Sequence, residues 1–207
     1  MGKTTERRIG RPMASSREEV LKAADELLKS GGEQALSFRR LADKLGLSAP
    51  SIYTYFASKQ DLLLALAESI LPIGEPPSEQ ETAYQALGNA LNHLRQSLLD
   101  KQHLMFLFGK VIPAKHMLGM IAYFASIVER QGISHDYAVR YGQSLIWITL
   151  GFVTFEINSR HSDVVIQFSE LFEFEKELLP HLDLQSHERL WQETLERNLF
   201  FLKQPSQ

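Results

Sequence analysis

Ser37-Phe38-Arg39-Arg40-Leu41-Ala42-Asp43-Lys44-Leu45-Gly46-Leu47-Ser48-Ala49-Pro50-Ser51-Ile52-Tyr53-Thr54-Tyr55-Phe56-Ala57-Ser58-Lys59-Gln60-Asp61-Leu62-Leu63-Leu64-Ala65-Leu66 is the stretch that decides the fold. It reads as two short helices joined at a glycine, then the start of a third. Ser37 can cap the first helix, its hydroxyl accepting from a backbone N–H that has no partner within the helix. Leu41 and Leu45 share one face at i, i+4, and Ala42 is small enough to admit a neighbouring helix. Gly46 supplies the left-handed conformation that ends a helix without a steric penalty. Ser48 caps the next helix, and Pro50 falls in its first turn, where a missing N–H does no harm. Ile52 turns back into the small core. The pattern is a helix-turn-helix whose second helix is presented outward.

That outward face carries Ala49, Ser51, Thr54 and Tyr55, with Tyr53 beside them. These side chains are small or hydrogen-bonding, which suits a helix entering a major groove about 12 Å wide. Ser58 and Asp61 form a capping-box-like start for the following helix, placing Lys59 and free N–H groups where a phosphate is well received. Ala49, Ser51 and Thr54 are the candidates for base edges. Arg39, Tyr53 and Lys59 are the candidates for phosphates, which position a protein without specifying a sequence. Ser37, Arg40, Ser48 and Tyr55 complete the expected interface. Upstream, residues 1–15 read as a flexible basic arm with Lys3, Arg7, Arg8 and Arg11, broken by Gly10 and Pro12. Gly10-Arg11-Pro12 resembles the core of an AT-hook, in which an arginine enters a narrow minor groove. Arg11 therefore joins the candidate DNA contacts, although a solvated tail of no fixed role accounts for the arm equally well.

Leu47-Ser48-Ala49-Pro50-Ser51-Ile52-Tyr53-Thr54-Tyr55-Phe56-Ala57-Ser58-Lys59-Gln60-Asp61-Leu62-Leu63 resembles the signature of the TetR family of transcriptional regulators. That signature has a serine cap, three variable residues, an aliphatic, Tyr-x-His/Tyr-Phe, and a lysine followed by a leucine pair; Tyr55 takes the His/Tyr place. The resemblance covers the chain to about residue 65. It implies an all-α protein of about nine helices, with an N-terminal three-helix helix-turn-helix domain followed by a helical ligand-binding and dimerisation domain. It also implies a regulator that releases a double-stranded DNA operator on binding a small molecule.

The remaining pattern is helical throughout. A first helix from Ser16 to Lys29 carries the stripe Val20, Ala24, Leu27, Leu28 and stops at Gly31-Gly32. Phe38 and Phe56 are expected to close the core it forms with Leu41, Leu45 and Ile52. A helix from Lys59 to about Leu71, with Leu62, Leu63, Leu66 and Ile70, faces both the head and the body and is the expected lever between them. Pro72, Gly74, Pro76 and Pro77 then break the chain. Further helices are expected over Gln80–Asp100, His103–Gly109, Pro113–Gly132 and His135–Ser159. A less regular stretch over 161–184 follows, with Phe168, Leu171, Phe172, Phe174, Leu178 and Leu179 covering the body and Pro180 ending it. A last amphipathic helix runs from Ser186 to Lys203. The organisation expected is an arm over 1–15, a helix-turn-helix domain over 16–60 and a helical domain over 61–207. His135–Ser159 is apolar nearly all round, so both its sides should be buried, one against its own domain and one against a second subunit. With the last helix it is expected to build a four-helix bundle across the two-fold axis of a homodimer. Glu156, on that apolar helix, would need a partner if buried; the expectation is that it sits in water at the helix end.

Charge and composition narrow the function. Residues 1–60 hold 11 Lys+Arg and 7 Asp+Glu, whereas residues 61–207 hold 11 and 18, a basic head on an acidic body. Such a split fits a protein that meets phosphate at one end. There is no cysteine, so neither disulfides nor thiolate metal sites are in play. The longest apolar stretch, Leu145 to Phe155, is too short to span a bilayer, and no export-type apolar run opens the chain. The expectation is a cytoplasmic protein without a membrane partner. The seven histidines show neither His-x-x-x-His nor His-Glu-x-x-His spacing, so no metal is expected. No nucleophile elbow, phosphate-cradling glycine loop or paired catalytic carboxylates appear, so neither an enzyme nor a cofactor is expected.

Sixteen of the twenty aromatic residues lie after residue 60. Phe106, Phe108, Met117, Met120, Tyr123, Phe124, Trp147 and Phe155 are the candidates to line an apolar cavity, since methionine and aromatic side chains adapt to apolar ligands. Plain core packing is the competing explanation for the same stripe. The function expected is a homodimeric, ligand-responsive repressor that leaves its operator on binding a small apolar effector. The alternative is a DNA-binding dimer with no small-molecule ligand, controlled by a protein partner.

Overall fold

The computed structural model describes residues 15–71, 78, 80–160, 172–183 and 185–203. They are helical, with no strand among the described residues, and belong to two compact units, Met1–Leu66 and Ala67–Gln207. The basic arm with Arg11, the Pro72–Pro77 break, and Phe168 and Leu171 lie outside the described residues, as do the side chains of Phe174 and Leu179.

In the first unit, α1 (Arg17–Ala35) opens on a capping box. The Glu19 N–H donates to Ser16 Oγ at 3.1 Å, and the Ser16 N–H donates to Glu19 Oε2 at 2.8 Å. Its helical geometry breaks at Gly31 and Gly32, the latter at φ 62°, and one further turn follows. α2 (Phe38–Leu45) is capped by Ser37, whose hydroxyl accepts from the Arg40 N–H at 3.2 Å. Gly46 then takes the left-handed conformation, φ 67° and ψ 28°, and the Leu47 N–H reaches back to the Ala42 carbonyl at 2.9 Å. That pair of features is a Schellman ending, and only glycine adopts it without strain. α3 (Ala49–Ile52) is a single turn capped by Ser48. α4 (Lys59–Glu68) follows. The core of this unit is Val20, Ala24, Leu28, Leu41, Ile52, Phe56, Leu62 and Leu66, all at 2% exposure or less. The unit runs through Leu66, past the division after residue 60 expected from sequence, because it takes in the first two turns of α4.

The second unit begins at the end of α4, which stops at Glu68 rather than continuing to Leu71. Two i to i+3 bonds, Ile70 N–H to Ala67 O and Leu71 N–H to Glu68 O, tighten the chain there. The freed carbonyls are taken by side chains of α5 (Ala83–Asp100) and the residue that follows it: Ser97 Oγ donates to Ile70 O and Lys101 Nζ to Ser69 O, each at 2.6 Å. A 3₁₀ segment over Gln102–Gly109 leads to α6 (Ala114–Glu129) and then α7 (His135–Arg160). α8 (Glu173–Lys176) ends before Pro180, and α9 (His187–Leu199) closes the chain with a 3₁₀ turn over Phe200–Lys203. α6 and α7 cross closely at Gly142, where a Cβ would stand 3.1 Å from both the Ile121 carbonyl oxygen and Phe124 Cβ.

Glu156 corrects the sequence expectation. It is fully buried, not in water, and meets Arg95 of α5, itself only 8% exposed. Arg95 donates through Nε to Glu156 Oε2 at 2.9 Å and through Nη2 to Oε1 at 2.8 Å, while Nη1 donates to Glu188 Oε2 of α9 at 2.7 Å. Arg160 also pairs with Glu156. The guanidinium lies 5.8 Å from the Phe152 ring and 5.6 Å from the Trp191 ring. Burial alone would push the Glu156 carboxyl up, but the Arg95 hydrogen bonds and the charges of Arg95, Arg160 and His187 together outweigh it. The carboxyl is therefore held below its ordinary range. A bidentate arginine–carboxylate pair of this kind is what makes a buried charge tolerable.

Among the described residues α7 is not covered on every side. Leu145, Ile146 and Val153 face inward, whereas Trp147 is 58% and Phe155 41% exposed. Among the described residues no single helix is long and apolar enough to cross a membrane.

Candidate nucleic-acid interface

Side-chain hydroxyls join the backbone hydrogen bonds that fix the loop and turns around α3. Ser48 Oγ accepts from the Ser51 N–H at 3.3 Å and lies 2.7 Å from Ser51 Oγ, so one of the two hydroxyls donates to the other. Thr54 Oγ1 donates to the Ser51 carbonyl at 2.7 Å. The helix proper lasts only from Ala49 to Ile52, and bonds from the Thr54, Tyr55 and Phe56 N–H groups to Ser51 and Ile52 carbonyls carry the turn onward. The structure thus gathers Ser48, Ser51 and Thr54 into one bonded group, in which the Ser48 and Ser51 hydroxyls orient each other and the Thr54 hydroxyl is held by the Ser51 carbonyl.

Exposure orders the rest of the expected set. Ser48, Tyr53, Thr54, Lys59, Arg39 and Arg40 are exposed, while Ser37, Ala49, Ser51 and Tyr55 are half-buried. Tyr53, 58% exposed, is steadied by Phe38, whose ring meets it edge-on at 4.8 Å between centroids. Phe38 therefore serves the Tyr53 ring and is itself half-buried; Phe56 alone of the two expected phenylalanines is fully buried. Arg40 Nη1 donates to the Gln34 carbonyl at 3.4 Å, which draws it toward the end of α1, whereas no such tie holds Arg39. Lys44 pairs with Glu26 at 3.0 Å, and that contact holds the Glu26 carboxyl below its ordinary range. At the start of α4 the Asp61 N–H donates to Ser58 Oγ at 3.1 Å, and the Asp61 carboxylate accepts from the Ala57 N–H at 3.1 Å. This is the expected cap with its return bond moved one residue upstream.

One residue that the sequence pattern does not single out belongs with this group. The Arg17 guanidinium stacks over the Phe56 ring, 4.5 Å from its centroid. The capping box at Ser16 and Glu19 is a signal for where α1 begins, but nothing local announces that the residue after the cap reaches Phe56.

The expected ligand-lining residues do not form one group. Met120 and Phe124 are buried, and Phe106, Phe108, Met117 and Tyr123 are half-buried along the 3₁₀ segment and α6. Tyr123 and Phe124 are 5.9 Å apart, and Lys110 Nζ lies 5.9 Å from the Phe106 ring. Trp147 and Phe155 stand apart from these, on the outward side of α7. No group of three or more His, Asp or Glu side chains among the described residues is arranged to hold a metal ion.

Two short helices meeting at a left-handed glycine, with hydroxyls, an aromatic and cations along one outer edge, define the first unit as a helix-turn-helix of the nucleic-acid-reading class. Residues 20–66 match the profile of bacterial regulatory proteins of the tetR family, so the similarity to that family lies in this N-terminal domain. The tetracycline repressor protein class C of Escherichia coli is 39% identical over 87 residues, which are 40% of this chain and 39% of that protein. The chain thus aligns with well under half the length of that relative. Across nearly the whole chain the similarity is one of fold. The Streptomyces coelicolor TetR family protein ActR in complex with (S)-DNPA superposes with a TM-score of 0.70 at 19% identity, covering 91% of this chain and 97% of ActR. BioQ with its double-stranded DNA operator superposes with a TM-score of 0.58 at 23% identity, covering 81% and 96%.

Proposed function

We propose that this protein is a homodimeric, sequence-specific DNA-binding regulator that acts as a repressor and leaves its operator when a small apolar molecule binds the helical body. The observation that carries the reading is the bonded Ser48–Ser51–Thr54 group at α3 and the turn after it, flanked by exposed Tyr53 and Lys59, within a domain matching the tetR family over residues 20–66. Ala49, Ser51 and Thr54 meet base edges; Arg39, Tyr53 and Lys59 meet phosphates, and Ser37, Arg40, Ser48 and Tyr55 support them. The operator complex of BioQ and the (S)-DNPA complex of ActR, two proteins of similar fold, support the two partner classes.

The dimer is supported by the outward side of α7, where Trp147 and Phe155 lie open beside Gly151 and Thr154. Large aromatics in such a row are what a second subunit covers. This reading moves Trp147 and Phe155 from the cavity to the subunit interface and leaves Phe106, Phe108, Met117, Met120, Tyr123 and Phe124 as the cavity residues. Release follows from two dimer states with different affinity for DNA: an effector that prefers the state in which the two heads are splayed weakens operator binding by that same difference.

The test is selection from a random duplex pool with purified full-length protein, together with its mass in solution. A two-fold-symmetric consensus recovered by a dimer is the expected result. Failure of well-folded protein to enrich any sequence refutes the regulator reading. Equal effector affinity for free and DNA-bound protein refutes the release mechanism alone.

A further inference from the structure

We infer that Arg17 is a phosphate-contacting residue of the DNA interface, held in place by the face of Phe56. The inference rests on the DNA-binding reading above. Arg17 is the first residue of α1, where a cation opposes the helix dipole and gains nothing from it. Among the described residues no carboxylate forms an ion pair with it within 4.0 Å, Glu18 beside it feeling its charge only weakly, and it is exposed. Its guanidinium nevertheless has a fixed seat, 4.5 Å from the centroid of a ring that is itself fully buried. Stacking on an aromatic face restrains an arginine while leaving its N–H donors directed outward.

The position of the seat gives the charge its use. Phe56 lies in the chain between the turn after α3 and Ala57-Ser58-Lys59, so the ring that seats Arg17 belongs to the segment joining the base-reading turn to the start of α4. The Ala57 and Asp61 N–H groups there are taken by Asp61 and Ser58. Cationic side chains, with the remaining first-turn N–H groups of α4, are what that edge offers a phosphate. An arginine stacked on a buried ring makes the better clamp, because its planar fork matches two phosphate oxygens and it gives up less freedom on binding.

The experiment measures the salt dependence of binding to the duplex recovered by selection, for full-length wild type, Arg17→Gln and Arg17→Lys. Each phosphate contact contributes about 0.9 to the slope of log K against log salt. Arg17→Gln is expected to lower the slope by about 0.9 per bound protomer, so that between 50 and 200 mM salt wild type loses about 3.5-fold more affinity per protomer than the variant. Arg17→Lys is expected to keep the wild-type slope, and both variants to keep the selected consensus. An unchanged slope in Arg17→Gln overturns the inference, as does an equal loss in Arg17→Lys, which would mark Arg17 as structural. Wild-type protein that binds no duplex overturns this inference and the DNA-binding reading together.

Discussion

Replacing Arg95 with methionine tests how the helical body is held. The change keeps an apolar stem of similar length but leaves Glu156 fully buried, with Arg160 as its remaining cation. Breaking a buried pair by removing one partner costs about 3–5 kcal/mol. Arg160 is 54% exposed at its side chain and stays in place beside Glu156, so the lower end, about 3 kcal/mol, is the expected loss. Glu188 adds little to that figure, because its side chain is 70% exposed and simply returns to water. Loss of about 3 kcal/mol corresponds to a fall in melting temperature on the order of 10 °C for a body of this size.

Urea unfolding followed by tryptophan fluorescence reads the change directly. Trp191 is buried beside Arg95 and donates through Nε1 to Asn92 Oδ1 at 2.6 Å. Acidification supplies a second signature. The Glu156 carboxyl is held below its ordinary range in the folded protein, so its stabilising contribution is present above the unfolded pKa, about 4.3, and is lost as pH falls through the lower folded value. In Arg95→Met the main opposing contacts to burial are gone and the carboxyl moves up. The gap between variant and wild type should therefore narrow as the solution is acidified. Arg95→Met with Glu156→Leu should recover most of the loss, since an apolar pair of similar volume replaces a buried ion pair at little cost. A single variant within about 1 kcal/mol of wild type, or a double variant no better than the single, would refute this account of the network.

Lys59→Ala and Tyr53→Phe should weaken binding to every duplex sequence alike, and Lys59→Ala should lower the salt slope by about one for each phosphate it no longer neutralises; fluorescence anisotropy across a salt series checks both. Ser51→Ala and Thr54→Val should instead change the consensus recovered by selection, because both residues belong to the bonded group at α3 and the turn after it. Trp147→Asp should give a monomer by light scattering with its helical signal retained, since the ring is 58% exposed within one chain. Phe152→Asp should instead lose the fold, because that ring packs 5.1 Å from Trp191.

The N-terminal unit is legible in the sequence because its structure is written in local punctuation. Ser37, Gly46, Ser48 and Ser58 each act on backbone groups within a few residues, and each does in the structure what its neighbours in sequence imply. Even there, a contact that needs the fold leaves no trace in the pattern: Arg17 reaches Phe56 only once α1 has packed against the turn. The same distinction separates the two ends of α4. Its start follows from Ser58 and Asp61, whereas its stop depends on Ser97 and Lys101 taking the Ile70 and Ser69 carbonyls from a helix that comes later in the chain.

The body is readable as helices but not as faces, and α7 explains why. Phasing a helix from sequence requires a polar side, and residues 145–157 supply almost none, so burial and exposure cannot be told apart along it. Trp147 and Phe155 join the cavity candidates on chemistry alone, although the fold turns them outward while Leu145, Ile146 and Val153 turn in. Glu156 defeats the sequence pattern for the complementary reason. A lone carboxylate in an apolar run is tolerable only in water or with a cation, and the cation lies on α5, far away in sequence. The pairing also fixes what an apolar surface leaves loose. Arg95 offers one planar set of donors to carboxylates on α7 and α9, so sliding either helix by a turn breaks a hydrogen bond to a charged group rather than exchanging one apolar neighbour for another. In a body with so little polar marking, that cluster sets which faces of α7 and α9 remain outside, the faces on which the proposed dimer rests.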